Sequence, residues 1–412
     1  MARTRTWRLR WAGGLTAVTC TAALSAISPP AHAAPEGRIL GAGQPGSVKG
    51  SYLVTLKGGT TAPSAAGKSL AEKYGAKISH TYGTVLNGYA IRADERQARR
   101  LAADSRVASV VQDTQVTLKD TPGDTPKKTL KKTLKNPPSW GLDRIDQRNL
   151  PLDRSYTWPE SAGAGVTVYV IDTGVRVSHR DFAGRARHGW DFVGNDGSAG
   201  DGHGHGTHVA GTIAGARYGV AKKAKIVSVR VLDDAGAGTT ARVIAGIDWV
   251  TRHAKKPAVA NVSLGGTYNA QLNAAVRNSI ASGVTYTVAA GNDGLPAGLY
   301  SPAGVHEAIT VGASDREDDR AGFSNYGSSL DLFAPGVAIT SASHTSDTAR
   351  ATYSGTSMAA PHAAGAAALQ LADRPKATPA QVSKALVAQA ASGKISGRGL
   401  GSPNKLLQVP GS

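Results

Sequence analysis

Four segments of the 412-residue chain set reactive side chains just past apolar runs or at the start of helical patterns. The first, Val166-Thr-Val-Tyr-Val-Ile-Asp172-Thr-Gly174, ends an apolar run on a carboxylate. A buried carboxylate is costly unless it is hydrogen-bonded, so Asp172 either caps its own turn or serves a partner. Aspartic proteases also use Asp-Thr-Gly, but their chemistry needs two acids in one site. No second Asp-Thr-Gly or Asp-Ser-Gly occurs here. The second segment is Asp201-Gly-His203-Gly-His205-Gly-Thr-His208-Val-Ala-Gly211. An imidazole in this setting can act as a general base near neutral pH. The spacing of His203, His205 and His208 also suggests zinc, but no Cys or His motif nearby completes a ligand set. The third, Tyr353-Ser-Gly-Thr-Ser357-Met-Ala-Ala-Pro-His-Ala-Ala-Gly365, places Ser357 at the opening of a small-residue helix. A helix-capping serine is the simplest reading, yet a helix start also offers free N–H groups and a positive dipole end to an oxyanion. The fourth is Ala289-Ala-Gly-Asn292-Asp293, where the Asn292 amide can donate to that same oxyanion.

Such groups need a rigid frame. Val166–Ile171, Lys225–Val231, Ala258–Ser263, Val284–Ala289 and Ala308–Val311 are apolar and mostly rich in Val or Ile. Helical patterns run over Thr239–His253, Asn269–Ser282 and Ser357–Leu371, and a last helix starts with Thr378 as cap and Pro379 in its first turn. Near-continuous apolar strands alternating with helices predict an α/β fold, a parallel sheet covered on both faces. Ligand groups in such sheets collect at the carboxyl ends of the strands, where Asp172 and Asn292 stand.

Upstream, residues 51–117 read as a smaller unit. Strands are predicted at Ser51–Leu56, Ala76–Tyr82, Val85–Arg92 and Val107–Val116, and helices at Ala65–Tyr74 and from the capping Asp94 to Ala103. The order βαββαβ is the ferredoxin-like α+β arrangement. Residues 118–138, with the near repeat Lys127-Lys-Thr-Leu-Lys-Lys-Thr-Leu-Lys135, read as a solvated, protease-sensitive linker. Residues 139–412 form the large domain.

The formal net charge is +18. Residues 137–412 carry only about +5 of it, and the remainder lies upstream. No basic stripe with interleaved aromatics marks the large domain, which argues against a nucleic-acid partner. Arg3, Arg5, Arg8 and Arg10, an apolar stretch to Ile27 and the small residues of Ala31-His32-Ala33 read as a secretory signal over residues 1–33. A retained membrane helix would need a longer, less interrupted run. The one cysteine, Cys20, falls inside this signal, so an exported chain would hold neither thiol nor disulfide.

Taken together and in the order Asp, His, Ser, these segments resemble the subtilisin-like (subtilase) serine peptidases, most closely the proteinase K-like branch. Asn261-Val-Ser-Leu-Gly-Gly266, Gly312-Ala-Ser-Asp315 and Phe323-Ser-Asn-Tyr-Gly327 carry the branch similarity, which covers essentially all of residues 139–412. The resemblance implies a three-layer fold and roles for each residue. Ser357 would be the nucleophile, His205 the base, Asp172 its orienting acid, and Asn292 with the Ser357 N–H the oxyanion hole. Substrate peptides would add as a strand between Ala235, Gly236, Ala237 and Gly238 on one side and Ser263, Leu264, Gly265 and Gly266 on the other. The pocket walls, Ser263–Gly266 with Ala289, Ala290 and Gly291, carry no charge, so cleavage after apolar or aromatic residues is expected. No cofactor is implied for the chemistry. A structural Ca²⁺ is implied at Asp331 with the carbonyls of His306 and Ala308. Residues 51–117 are similar to the family's inhibitory propeptide, whose tail would be cut by the enzyme itself between residues 117 and 136. The implied product is a secreted, extracellular, monomeric endopeptidase acting on proteins and peptides, with no membrane attachment once the signal is removed. The branch often has Cys after the second histidine of its His motif; this chain has Val209.

Overall fold

The structure, a computed structural model, describes residues 36–119, 121–122 and 134–409. The expected signal with Cys20, and most of the expected linker, lie outside the described residues.

The smaller sheet contains β1 (Ser47–Leu56), β2 (Lys77–Tyr82), β3 (Gly88–Arg92) and β4 (Val107–Thr117). Its order is β4-β1-β3-β2 with every neighbouring pair antiparallel. Helices α1 (Ala65–Lys73) and α2 (Glu95–Ala102) complete the expected βαββαβ order. Asp94 caps α2 through a reciprocal capping box with Gln97. Ile39–Leu40 adds a short parallel strand against β4. Alternation along β1 explains how the unit is used. Tyr52, Val54 and Leu56 pack into a core with Leu70, Ala71, Ala98 and Leu101 of the two helices. Leu53, together with Ala90, Tyr82, Val85 and Val116, faces the opposite way into the large domain. A sheet apolar on both faces must be covered on both.

The expected strand from Val85 begins only at Gly88. The Val85 N–H is taken by Asp248 of the large domain at 3.0 Å, and Asn87 bonds Ala62 N and Thr60 O. Residues 83–87 therefore form a docked loop rather than ladder.

The large sheet is built from β5 (Thr167–Asp172), β6 (Ala186–Asp191), β7 (Lys225–Arg230), β9 (Ala258–Val262), β10 (Thr285–Ala289), β11 (Ile309–Ser314) and β12 (Leu332–Pro335). The order is β12-β11-β10-β9-β5-β7-β6, all parallel, with Lys405–Leu406 and then Ala391–Ser392 beyond β12. The short β8 (Ala237–Thr239) stands outside it. Val168 and Val170 of β5 face a core shared with α3 (His205–Ala214), α6 (Thr356–Asp373) and α7 (Pro379–Gln389). Tyr169 and Ile171 face the core of α4 (Thr240–His253) and α5 (Ala270–Ala281). Two covered faces thus follow from the period-2 alternation of an unbroken apolar strand. Edge strand β6 was missed by the apolar-run criterion because, half solvated, it carries Arg187, His188 and Asp191. Among the described residues no helix is long and apolar enough to cross a membrane.

Candidate active site

Asp172 is the last residue of β5 and is fully buried. Its Oδ1 accepts the Thr173 N–H at 2.7 Å and His205 Nδ1–H at 2.7 Å. His205 is the first residue of α3 and is 1% exposed. Its helix can start there because Gly204 adopts φ +105°, in the left-handed region that glycine tolerates. Gly206 permits the close approach to β5, since a Cβ there would lie 2.1 Å from the Gly174 carbonyl. Asp201 holds the loop in shape. It accepts the N–H groups of His203, Gly204 and Thr207 and the hydroxyls of Thr173 and Thr207. The Thr173 hydroxyl accepts the Gly206 N–H in turn, so strand end and helix start are stitched together.

Ser357 is the second residue of α6, which packs against α3. Its Oγ donates to the Ser263 carbonyl at 3.1 Å, and Ser263 Oγ donates to the Ser357 carbonyl at 2.9 Å. Asn261 donates to Ser263 Oγ and accepts from Thr287 on the adjacent strand, so the end of β9 is locked to the helix start. Asn292 accepts both the N–H and the hydroxyl of Thr356, at 2.8 and 2.7 Å. Asn292 lines the cleft together with Thr356 and Ser357. The buried Asn325 clamps the same loop. It bonds the Ala290 carbonyl and accepts the N–H groups of Asp293 and Leu295.

The cleft has a volume of about 230 Å³. Ser263–Gly266 and Ala289–Gly291 line it, with Asn292, Asp293, Thr356 and Ser357. The tail of the smaller unit lies in it. Gln115, Val116 and Thr117 of β4 pair antiparallel with Thr239, Gly238 and Ala237 of β8, and the Leu118 N–H donates to the Gly236 carbonyl at 3.2 Å. Beyond the tail, Thr121–Pro122 pairs antiparallel with Tyr353–Ser354 of β13 (Arg350–Ser354).

The docking of the smaller unit is polar as well as apolar. Asp113, 1% exposed, accepts the Ala241 N–H in the first turn of α4 at 3.2 Å and the Ser51 hydroxyl at 2.9 Å. Burial raises the pKa of its carboxyl, against the lowering effect of these bonds. Asp248 of α4 accepts the Thr84 and Val85 N–H groups, and Asn278 of α5 donates to the Val85 carbonyl.

The other histidines are occupied separately. His208 Nε2 donates to the Ile339 carbonyl at 2.9 Å, and His362 Nδ1 to the Met358 carbonyl at 2.8 Å. The rings of His203 and His205 meet edge to face with centroids 6.4 Å apart. Among the described residues no group of three or more His, Cys, Asp or Glu side chains could hold a metal ion. That leaves the mixed carboxylate and carbonyl set at Asp331. Its Oδ2 accepts the Thr310 N–H at 2.8 Å. Burial pushes its pKa up to about 6, against the lowering by that bond and by nearby His306. His306 and Ala308 lie in the turn leading into β11. A buried oxygen donor short of positive charge fits a hard cation.

Of the residues assembled here, Asp201 and Asn325 sat inside motifs read for other reasons, and their clamping roles were not legible. The Asp113, Asp248 and Asp293 contacts link residues far apart in the chain.

Comparison with known proteins places these observations. The Subtilase family matches residues 163–405, and Peptidase inhibitor I9 matches residues 51–119. The chain is 46% identical over 420 residues to an extracellular serine proteinase of Thermus sp. (strain Rt41A), covering 97% of this chain and 99% of that one. It resembles the solved structure of a cold-adapted subtilisin-like serine proteinase, with TM-score 0.65 and 52% identity over 66% of this chain and 98% of that one. It also resembles fervidolysin from Fervidobacterium pennivorans, a keratinolytic enzyme related to subtilisin. There the TM-score is 0.73 and the identity 25%, over 91% of this chain and 63% of that one.

Proposed function

The chain belongs to the subtilase family, and from that premise we infer that Asp172, His205, Ser357 and Asn292 are the catalytic groups of a secreted serine endopeptidase. It is an extracellular enzyme of broad specificity, made as a zymogen with an inhibitory propeptide.

The observation that most supports this assignment is the bond between Asp172 and His205 Nδ1, 2.7 Å long and shielded from water. A buried carboxylate on Nδ1 fixes the tautomer that leaves Nε2 as the base. It also stabilises the imidazolium formed when His205 takes the Ser357 proton. Ser357 then attacks the scissile carbonyl carbon. The oxyanion forms beside the first turn of α6, where the Ser357 N–H and the Asn292 amide donate to it. His205 returns the proton to the leaving amine, and water releases the acyl group by the same steps in reverse. Nucleophile, base and oxyanion donors all belong to the chain, so the chemistry calls for no cofactor.

Substrate would bind as the propeptide tail does, by main-chain pairing to Gly236–Thr239 within the segment that starts at Ala235, with Ser263–Gly266 on the other side. Such pairing gives affinity with little side-chain selection, in keeping with broad specificity. We assign residues 51–117 to the inhibitory propeptide, 118–138 to a linker that is cut, and 139–412 to the peptidase. We further assign a structural Ca²⁺ to Asp331 and the carbonyls of His306 and Ala308. It would neutralise a buried carboxylate and tie the turn before β11 to the loop before β12. The mature enzyme is expected to be a monomer, free of membrane and nucleic acid.

Wild type and Ser357→Ala, secreted from one host, test the assignment. Wild type is expected to be shortened and to cleave a peptide with Phe before the scissile bond. Ser357→Ala is expected to keep its propeptide and to lose about six orders of magnitude in turnover. A variant that still matures itself and cleaves at the wild-type rate would overturn it.

A further inference from the structure

One charged contact in the cleft has no part in the scheme above. Lys119 Nζ lies 2.6 Å from Asp293 Oδ1, and both residues line the pocket with Ser357 and Asn292. Asp293 directly follows Asn292, and its N–H is fixed by Asn325. Tyr300 lines the same pocket, and its phenol pKa is raised by burial first and by the Asp293 carboxylate second. Ser263–Gly266 and Ala289–Gly291 carry no charge, and among the described residues lining the cleft Asp293 is the one carboxylate.

Backbone pairing brackets the residue that sits at the nucleophile. Before Lys119, residues 115–118 pair with β8 and Gly236. After it, Thr121–Pro122 pairs with Tyr353–Ser354, just ahead of Ser357. The chain thus follows one wall up to Leu118 and pairs with the other at Thr121, and Lys119 lines the cleft with Ser357. The side chain that enters the pocket beside Ser357 is that of Lys119.

Resting on the serine peptidase reading, we propose that Asp293 is a specificity-determining residue that makes the pocket accept lysine and arginine, and that the first self-cleavage falls after Lys119. In this step Ser357 Oγ attacks the Lys119 carbonyl carbon. The bond from that carbon to the nitrogen of residue 120 breaks, and the amine leaves with the proton carried by His205. Water then hydrolyses the Lys119 ester, leaving a carboxylate on Lys119 and restoring the Ser357 hydroxyl.

The contact is partly exposed, with side-chain exposures of 56% for Lys119 and 24% for Asp293. Exposed pairs are weak, so the effect is a bias within broad specificity rather than an absolute requirement. The test uses the full chain and two matched peptides with Lys or Phe before the scissile bond. Asp293→Asn is expected to lower the Lys-to-Phe ratio of kcat/KM five- to tenfold. High salt should lower the wild-type ratio in the same direction. In the precursor, Lys119→Glu is expected to slow the first cut, and Asp293→Lys in the same chain to restore it. Mass spectrometry of the earliest released fragment should end it at Lys119. An unchanged ratio in Asp293→Asn, or a first fragment ending elsewhere, overturns the proposal while the peptidase stands. Loss of cleavage of both peptides by the wild type would overturn the peptidase reading and this inference with it.

Discussion

At Asn292 the amide oxygen accepts two donors from Thr356. The oxyanion role proposed for Asn292 uses its NH₂ end, and removing the side chain should leave ground-state binding largely in place. Asn292→Ala is expected to lower kcat about a hundred- to thousandfold with little change in KM. That magnitude is the one known for the equivalent donor of subtilisin, a member of the same family. Steady-state kinetics on one peptide checks it, and a loss carried mainly by KM would point to a binding role instead. The motif around Asn292 was legible because a strand end, two small residues and an amide are contiguous. The Thr356 contact that aims it spans 64 residues and was not.

The elements that matter most are α4 and α6: the first turn of α6 lines the cleft and the first turn of α4 meets the propeptide. At α4 two carboxylates act in opposite senses. Asp113 reaches from the propeptide to the first turn of α4, and Asp248 reaches from α4 back to the propeptide loop. Hydrogen bonds to a charged acceptor contribute about 1.5–3 kcal/mol each, and helix starts favour negative charge. Asp248→Ala is therefore expected to raise the inhibition constant of propeptide added to mature enzyme by about ten- to hundredfold. Catalysis in the absence of propeptide is the control, since Asp248 lies outside the cleft. An unchanged inhibition constant would mean that the apolar sheet face alone holds the complex. The βαββαβ order was readable from strand alternation and the helix cap at Asp94, but the apolar character of both faces of β1 was not read. Nor was what covers the second face, because nothing in a strand names its partner.

Over the whole molecule, two buried groups of opposite type shape the dependence of stability on pH. Burial of His362 pushes its pKa from 6.5 down to about 4, so the fold favours the neutral ring. Its contribution is complete above 6.5 and is lost as pH falls toward 4, by up to about 3 kcal/mol. Asp331 behaves in the reverse sense. Its carboxyl is raised from 3.8 to about 6, so without a cation it disfavours the fold as pH rises through that window. A bound Ca²⁺ would cancel that penalty where the carboxylate is ionised. Chelation is accordingly expected to lower Tm by several degrees at pH 8 and by almost nothing at pH 5. Calorimetry of mature Ser357→Ala, matured by added wild type so that self-digestion is avoided, would measure both. Equal effects of chelator at the two pH values would exclude Asp331 as the ligand.

The sequence by itself singled out Asp172, His205, Asn292 and Ser357 as candidates, because each stands in a local pattern of strand end, glycine turn or helix start. It determined the two sheets for the same reason, since periodicity is a short-range property. Only the tertiary structure decided that Asp201 and Asn325 act as clamps, that the propeptide docks on α4 and α5, and that Lys119 meets Asp293 across a sequence separation of 174. Such contacts depend on which surfaces the fold brings together. A carboxylate on a loop reads the same in sequence whether it ends in solvent or beside a nucleophile.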